Sequence, residues 1–518
     1  MGLHLVVLLG AVAVPGYAVM EAFRAVLPVP DAGQVATLTT VSRWLPLLGN
    51  TVAVCGLALL TALAFGLVAG IILARTDLPG RALFAALAVL GACVPVYVSA
   101  IFIFSHLPTS KLADSALACG LLYGLIHSPL AIVVLGATLR CADRELEDLA
   151  RLDAGPAAVL IRVTIPQAAW GIAMLGILVV LLVGTDFTIP DLLFVRTFAE
   201  EVYTQFALHR SAAGPVLTSV PMLSVLAALL LAVQARYRLF GEHTPWQFAD
   251  PPRTLALGRW RLGGAVVGVA LVLALVGPPV VSLLGRIFER FASFGAFLAA
   301  ARALQHDLLV STLSAMAGAT VIVLSAVGLA WALLRGGRLR VPLGVAVVLL
   351  LALPAPVVGI SLIGLLDRPG PLGVLYDSPA VIAVGYVVRF LPIGIFLLVA
   401  AVQRVPREIE SAARVDGCDW LAVQRYVYWP IVAADAAIIW LIIVILCFAE
   451  VGATTLLAPP GWCSASVRAF TLMHYGVYGD LALLAVLSVG IIFIVWLLLV
   501  YLLKRRFARP GLAAQDGA

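Results

Sequence analysis

Apolar runs of about 20 residues, the length that crosses a bilayer as a helix, recur along the chain between short polar segments. They fall at 3–22, 46–73, 83–105, 119–138, 168–190 and 216–235, then at 262–285, 308–334, 341–366, 376–402, 432–456 and 480–503. The pattern predicts an all-α membrane protein with twelve transmembrane helices in two sets of six. Residues 236–261 are polar, carry Pro245, Pro251 and Pro252, and read as a connection between the sets. The expected organisation is a first half at 1–240, a cytoplasmic linker at 241–261 and a second half at 262–518.

Composition excludes the main alternative. Of the 518 residues, 63% are hydrophobic and 12% charged, against about 45–50% and about 25% in soluble domains. A single water-soluble core is ruled out, because the surplus apolar surface has to face lipid. The seven cysteines are scattered, with no CxxC, so they form neither a zinc site nor a disulfide framework. The net charge of +6 rests on arginine, since Lys111 and Lys504 are the only lysines. In a membrane chain this balance fits basic cytoplasmic loops beside anionic headgroups rather than nucleic acid. With both termini cytoplasmic, 22 of the 33 Lys and Arg fall in inside segments, 10 in outside segments and Arg389 within a span. That bias supports the orientation. The first helix argues the other way, with no Lys or Arg before it and Arg24 after it. It lacks the basic start of a cleavable signal peptide and is expected to remain as an anchor.

The two halves share a repeat. RELEDLARLD at 144–153 and REIESAARVD at 407–416 are identical at six of ten positions. The offset is 263: Arg144/Arg407, Glu145/Glu408, Glu147/Glu410, Ala150/Ala413, Arg151/Arg414 and Asp153/Asp416. After one inserted residue, Val163-Thr164-Ile165-Pro166 matches Val427-Tyr428-Trp429-Pro430, and further on Asp186 matches Glu450. Both copies follow the fourth expected helix of their half, so the repeats are parallel, related by a pseudo-twofold axis along the membrane normal. Glu147 and Arg151, like Glu410 and Arg414, are spaced to bridge one helical turn. Ala412 and Ala413 favour helix and leave a small surface. Gly155 and Gly417 then break the helix, and Pro166 and Pro430 mark the return to the membrane. A short cytoplasmic helix with a small surface suits docking into a groove on another protein.

These residues resemble the EAA loop of binding-protein-dependent ABC importer permeases, whose pattern runs roughly EAA-x3-G-x9-I-x-LP. The second copy, Glu410-Ser411-Ala412-Ala413-Arg414-Val415-Asp416-Gly417, places Ser411 where the motif has Glu. The first is more degenerate, with Asp148-Leu149-Ala150 for EAA and Ala154 at the glycine position beside Gly155. Arg389-Phe390-Leu391-Pro392, the stretch Gly452 to Gly461 and His474-Tyr475-Gly476 are similar to fused, double-length permeases of the ferric-iron, thiamine and putrescine group. The resemblance implies a type I importer permease in the inner membrane. Each loop would be a coupling helix seated on one of two cytoplasmic ATPase subunits. A periplasmic or lipoprotein binding protein would deliver the solute, with ferric iron the expected cargo.

The chain carries no P-loop. Lys111 is preceded by Leu107-Pro108-Thr109-Ser110, without glycine, and Lys504 lies in the basic tail. ATP hydrolysis is therefore expected on a separate polypeptide, and no resident cofactor or metal is expected. Asp186 and Glu450, with Asp191 and Thr454 nearby, are pathway candidates, since a carboxylate near lipid usually faces a partner or a wet cavity. Two readings remain: these groups contact the solute, or they bond unwound backbone beside Pro190 and Gly452. Arg389 either satisfies a carbonyl freed by Pro392 or binds substrate. The seven histidines show no metal-binding spacing, and His106, His209, His306 and His474 read as ordinary residues of outer loops. An ion-gradient-driven transporter with two six-helix halves is the alternative function.

Overall fold

The computed structural model describes residues 41–92, 94–96, 114–209, 213–237, 261–335 and 340–507, with a few isolated positions between them. The first expected span, His4, His106, Lys111, His243 and most of the linker lie outside the described residues. The described residues form helices α1 (Val41–Arg75), α2 (Arg81–Ala92), α3 (Ala116–Arg140), α4 (Arg144–Asp153), α5 (Pro156–Gln167), α6 (Ala169–Gly184), α7 (Thr188–Leu192), α8 (Phe198–His209) and α9 (Ala213–Tyr237). The chain continues through α10 (Arg261–Arg290), α11 (Phe294–Arg335), α12 (Arg340–Ala352), α13 (Ala355–Leu366), α14 (Pro371–Tyr376) and α15 (Ala380–Gln403). It ends with α16 (Arg407–Val415), α17 (Trp420–Ala449), α18 (Thr454–Leu457), α19 (Ala465–His474) and α20 (Tyr478–Phe507). The only extended pairing among the described residues is a single bridge between Thr76 and Leu255.

Six of these helices are long and apolar enough to cross a membrane, and up to nine spans result if each of three bent pairs counts as one. The chain is a multi-pass membrane protein. The element order from α3 to α8 recurs from α15 to α19. In both series a long helix precedes a short one, then a helix with a π-helical turn (Leu160–Thr164 in α5, Gln424–Tyr428 in α17). Each series continues with a long apolar segment, a single turn and a helix of 10–12 residues.

The stretch 341–366, expected as one span, is two helices meeting at 107°. Leu353-Pro354 breaks it: Pro354 adopts an extended conformation and starts α13, with Pro356 in its first turn. Proline withholds an N–H and pushes the residue before it out of helix, so hydropathy alone missed the turn. The expected spans 168–190 and 432–456 also end early, at Gly184 and Ala449, leaving Asp186 and Glu450 on unwound chain. The π-helical turns accommodate one extra residue each.

Close helix contacts form the frame. On α3, Gly120 and Gly124 are four apart, the spacing that lets membrane helices approach closely. A Cβ on Gly124 would lie 2.4 Å from Thr61 Cβ of α1. In the second half, a Cβ on Gly394 of α15 would lie 2.6 Å from Ile322 of α11. Overpacking costs about 1–3 kcal/mol. Gly124→Val is therefore expected to lower the thermal unfolding midpoint in detergent, and an unchanged midpoint would contradict the close α1–α3 contact.

Candidate functional site

The matched loops form α4 and α16, and each is fixed to the core by a buried carboxylate. Arg75 is the last residue of α1 and Arg335 the last of α11. Arg75 donates to Glu147 of α4, and its other nitrogen donates to the Leu139 carbonyl at the end of α3, 3.2 Å away. Thr164, closing the π-helical turn of α5, donates to the same Glu147 oxygen at 2.6 Å. Arg335 donates to Glu410 of α16 and, at 2.7 Å, to the Val405 carbonyl just past α15. Tyr428, closing the π-helical turn of α17, donates to Glu410 at 2.7 Å. The two assemblies therefore use the same parts, with Thr164 and Tyr428 in equivalent places.

They differ in completeness. Glu410 also accepts from Arg414 at 2.8 Å and from the Trp331 indole at 3.3 Å. Burial alone would raise the Glu410 carboxyl. The bonds from Tyr428, Arg335 and Arg414 outweigh it and hold the group below the usual carboxylate range. In the first half the expected one-turn bridge does not form: Glu147 bonds Arg75 and Thr164, and Arg151 Nε and Glu147 Oε2 have no hydrogen-bond partner. The reason is depth. Glu147 is fully buried under α1, whereas Arg151 sits nearer the surface.

The outward faces of these helices also differ from the expected small surface. Leu146, Leu149 and Leu152 of α4 are exposed, and in the same register so are Ile409, Ala412 and Val415 of α16. Ala150 and Ala413 are half-buried, with Ala413 packed against the core. Asp153 and Asp416 are exposed at the helix ends. Gly417 closes α16 with φ +84°, and Cys418 N–H reaches back to the Ala413 carbonyl at 3.0 Å. This is a left-handed helix stop that favours glycine. Gly155 is different: its backbone is extended and it starts α5.

A second polar cluster lies among α3, α6, α15 and the chain after α17, around a cavity of about 110 Å³ lined by Asp186, Glu450, Thr185, Arg389 and His127. Arg389 of α15 donates to the Leu353 carbonyl at the α12–α13 break, 2.6 Å away, and to the Thr185 hydroxyl at the end of α6. Its Nε lies 3.9 Å from Glu450. The carbonyl it satisfies therefore belongs to the break at Pro354 rather than to its own helix. Asp186 accepts from the Tyr123 hydroxyl at 3.0 Å and from the Thr188 N–H and hydroxyl at 3.0 and 2.7 Å. Glu450 accepts from the Ala453 N–H at 2.7 Å. Both acids thus brace unwound backbone while lining the cavity. Gly452 is required here, because a Cβ would lie 2.6 Å from Ala355.

Asp191 and Thr454 do not line this cavity. Thr454 is buried at the start of α18. Asp191 of α7 pairs instead with His474 of α19, at 2.9 Å. Among the described residues, no group of three or more His, Cys, Asp or Glu is arranged to hold a metal ion. Sequence reasoning missed Arg75, Arg335, Thr164, Tyr428 and Tyr123. The available signal for the arginines was that each ends a long apolar run, α1 or α11.

Breaking a buried ion pair from one side costs about 3–5 kcal/mol. Arg335→Ala is expected to speed amide hydrogen exchange across 407–415 while α11 stays protected. The paired replacement Arg335→Met with Glu410→Leu, which leaves no orphan charge, should restore much of that protection. Unchanged exchange in Arg335→Ala would show that the arginine does not hold α16.

Residues 324–509 match the family model described as the binding-protein-dependent transport system inner membrane component. The matched segment runs from the later part of α11 to the end of the described chain, and includes Arg335, Arg389, α16 and Glu450. No curated protein matches the chain. The family match supports a permease component of a binding-protein-dependent ABC transporter.

Proposed function

We propose that this chain is the fused, double-length permease subunit of an ATP-driven importer. It would span the inner membrane twelve times as two parallel six-helix repeats, with both termini cytoplasmic. The observation that carries the reading is the duplicated anchor: in each half an arginine ending a long helix grips the carboxylate of a short surface helix. A helix so held transmits displacement to the core, while its exposed stripe (Leu146, Leu149, Leu152, or Ile409, Ala412, Val415) is free to enter a groove. In this reading α4 and α16 seat on two ATPase subunits, which hydrolyse ATP, and a periplasmic or lipoprotein binding protein supplies the solute at the opposite face.

The cavity is the pathway's narrow midpoint in this reading. Two carboxylates face one guanidinium there, a balance that favours cations over anions. Its volume corresponds to a few water molecules, which suits a small ion. Ferric iron, a hard ion that prefers oxygen donors, is the proposed cargo.

The chain is expected to copurify in mild detergent with the ATPase encoded beside it, and Gly417→Asp to abolish that association while leaving the membrane fold intact. Retention of the ATPase by the variant would count against docking at α16. Uptake that follows the proton gradient with no ATPase bound would favour a secondary transporter. Asp186→Asn combined with Glu450→Gln is expected to slow uptake of a cationic solute; wild-type kinetics would leave these acids a purely structural role.

A further inference from the structure

Beyond the cavity, the seam between the halves is closed by three aromatic rings and one ion pair. Phe187, between α6 and α7, is fully buried and stacks on Tyr203 of α8 with ring centroids 4.2 Å apart. Phe470 of α19 meets both rings edge-on, at 5.7 and 6.2 Å. Ala199, Ala465, Ala469 and Met473 belong to the same apolar cluster. Val451 belongs to this cluster and also lines the cavity, so the two are contiguous. His474 sits one turn along from Phe470, its ring 4.2 Å away, and carries the bond to Asp191.

Both ring nitrogens of His474 face groups that only accept. Nδ1 lies 2.9 Å from the Phe470 carbonyl oxygen, and Nε2 lies 2.9 Å from the Asp191 carboxylate. Neutral imidazole has one N–H and can satisfy one of them; imidazolium satisfies both. The Asp191 bond accordingly raises His474 above the ordinary imidazole value, against an opposing effect of burial. Asp191 is the charged group that acts on His474, and Glu200 and Tyr203 of α8 stand around Asp191, with Arg196 acting on Glu200. His474 and Asp191 both remain partly exposed, so protons reach the pair from solvent.

We propose that Phe187, Tyr203 and Phe470 form the outer gate of the pathway and that the Asp191–His474 bond is its latch, made by protonated His474 and released on deprotonation. This rests on the importer reading, in which the halves separate on this face to admit solute. A histidine that binds its proton more tightly in the closed state favours closure fully below its ordinary value of about 6.5. That preference fades as pH rises through the raised value. External alkalinity therefore promotes opening.

The test is cysteine accessibility in lipid nanodiscs, in the full chain with its seven native cysteines replaced by alanine. Ala199→Cys and Met473→Cys place a thiol in the seam from either side, both positions being buried. Exposed Leu208→Cys on α8 corrects for the pH dependence of thiol reactivity. Labelling by a charged maleimide, relative to Leu208→Cys, should rise between pH 6 and 8.5 by roughly threefold to tenfold, the scale of one half-exposed charged hydrogen bond. Adding His474→Gln should give fast labelling at both pH values. Adding His474→Lys, which keeps the charge throughout this range, should keep labelling slow at both. Equal rates with and without His474→Gln, or a pH response that survives His474→Lys, would overturn the latch. The labelling needs neither ATPase nor solute, so that failure leaves the importer reading to be decided by ATPase association.

Discussion

The arginine–carboxylate contact at the end of α1 and of α11 is the constraint on which the rest of the architecture depends. A charged pair in a membrane protein's interior is stable only when its remaining donors and acceptors are met. The structure meets most of them by bringing four chain segments to one point. The long helix ends there, the chain at the end of the facing helix supplies a carbonyl, the surface helix supplies the acid, and the π-helical turn brings in a hydroxyl. The tight approach at Gly124 and Gly394 packs the two long helices of each contact directly against each other.

The two copies of the contact are not equal. Four side chains donate to Glu410: Arg335, Tyr428, Arg414 and Trp331. Around Glu147 the pair is deeper and sparser, with Arg75 Nε and Glu147 Oε2 unmatched. The half whose loop departs further from the EAA pattern thus holds its surface helix through fewer bonds. Its exposed stripe is the more apolar of the two, with three leucines against isoleucine, alanine and valine. The first half combines a looser hold on the core with a larger sticky face.

Much of this was legible from the chain itself. The shared RE-E--AR-D spacing located two short helices, and apolar runs located the long ones, because lipid demands continuous apolar surface over about 20 residues. Direction was not legible: a hydropathy run reads the same whether or not the helix turns by 107° at Leu353-Pro354, although the prolines there were a usable warning. Arg75 and Arg335 were hidden among ordinary loop arginines, since nothing local distinguishes a buried charge from a solvated one. Asp191 was grouped with Asp186 by proximity, yet a single turn of helix separates a cavity-lining acid from one that pairs across the seam. His474 lies 283 residues from its partner, a distance over which one sequence carries no pairing information.

That separation also bears on how the protein is made. The Arg75–Glu147 contact closes over 72 residues and the Arg335–Glu410 contact over 75, so each assembles within its own half. Two contacts between the matched series, Arg389 to Thr185 and His474 to Asp191, span 204 and 283 residues. During synthesis the N-terminal residues emerge first. For most of translation Thr185 and Asp191 are therefore in place while Arg389 and His474 do not yet exist. Quality control of this chain has a natural checkpoint there: an acid, Asp191, that stays without its imidazole partner until the last tenth of the polypeptide is made.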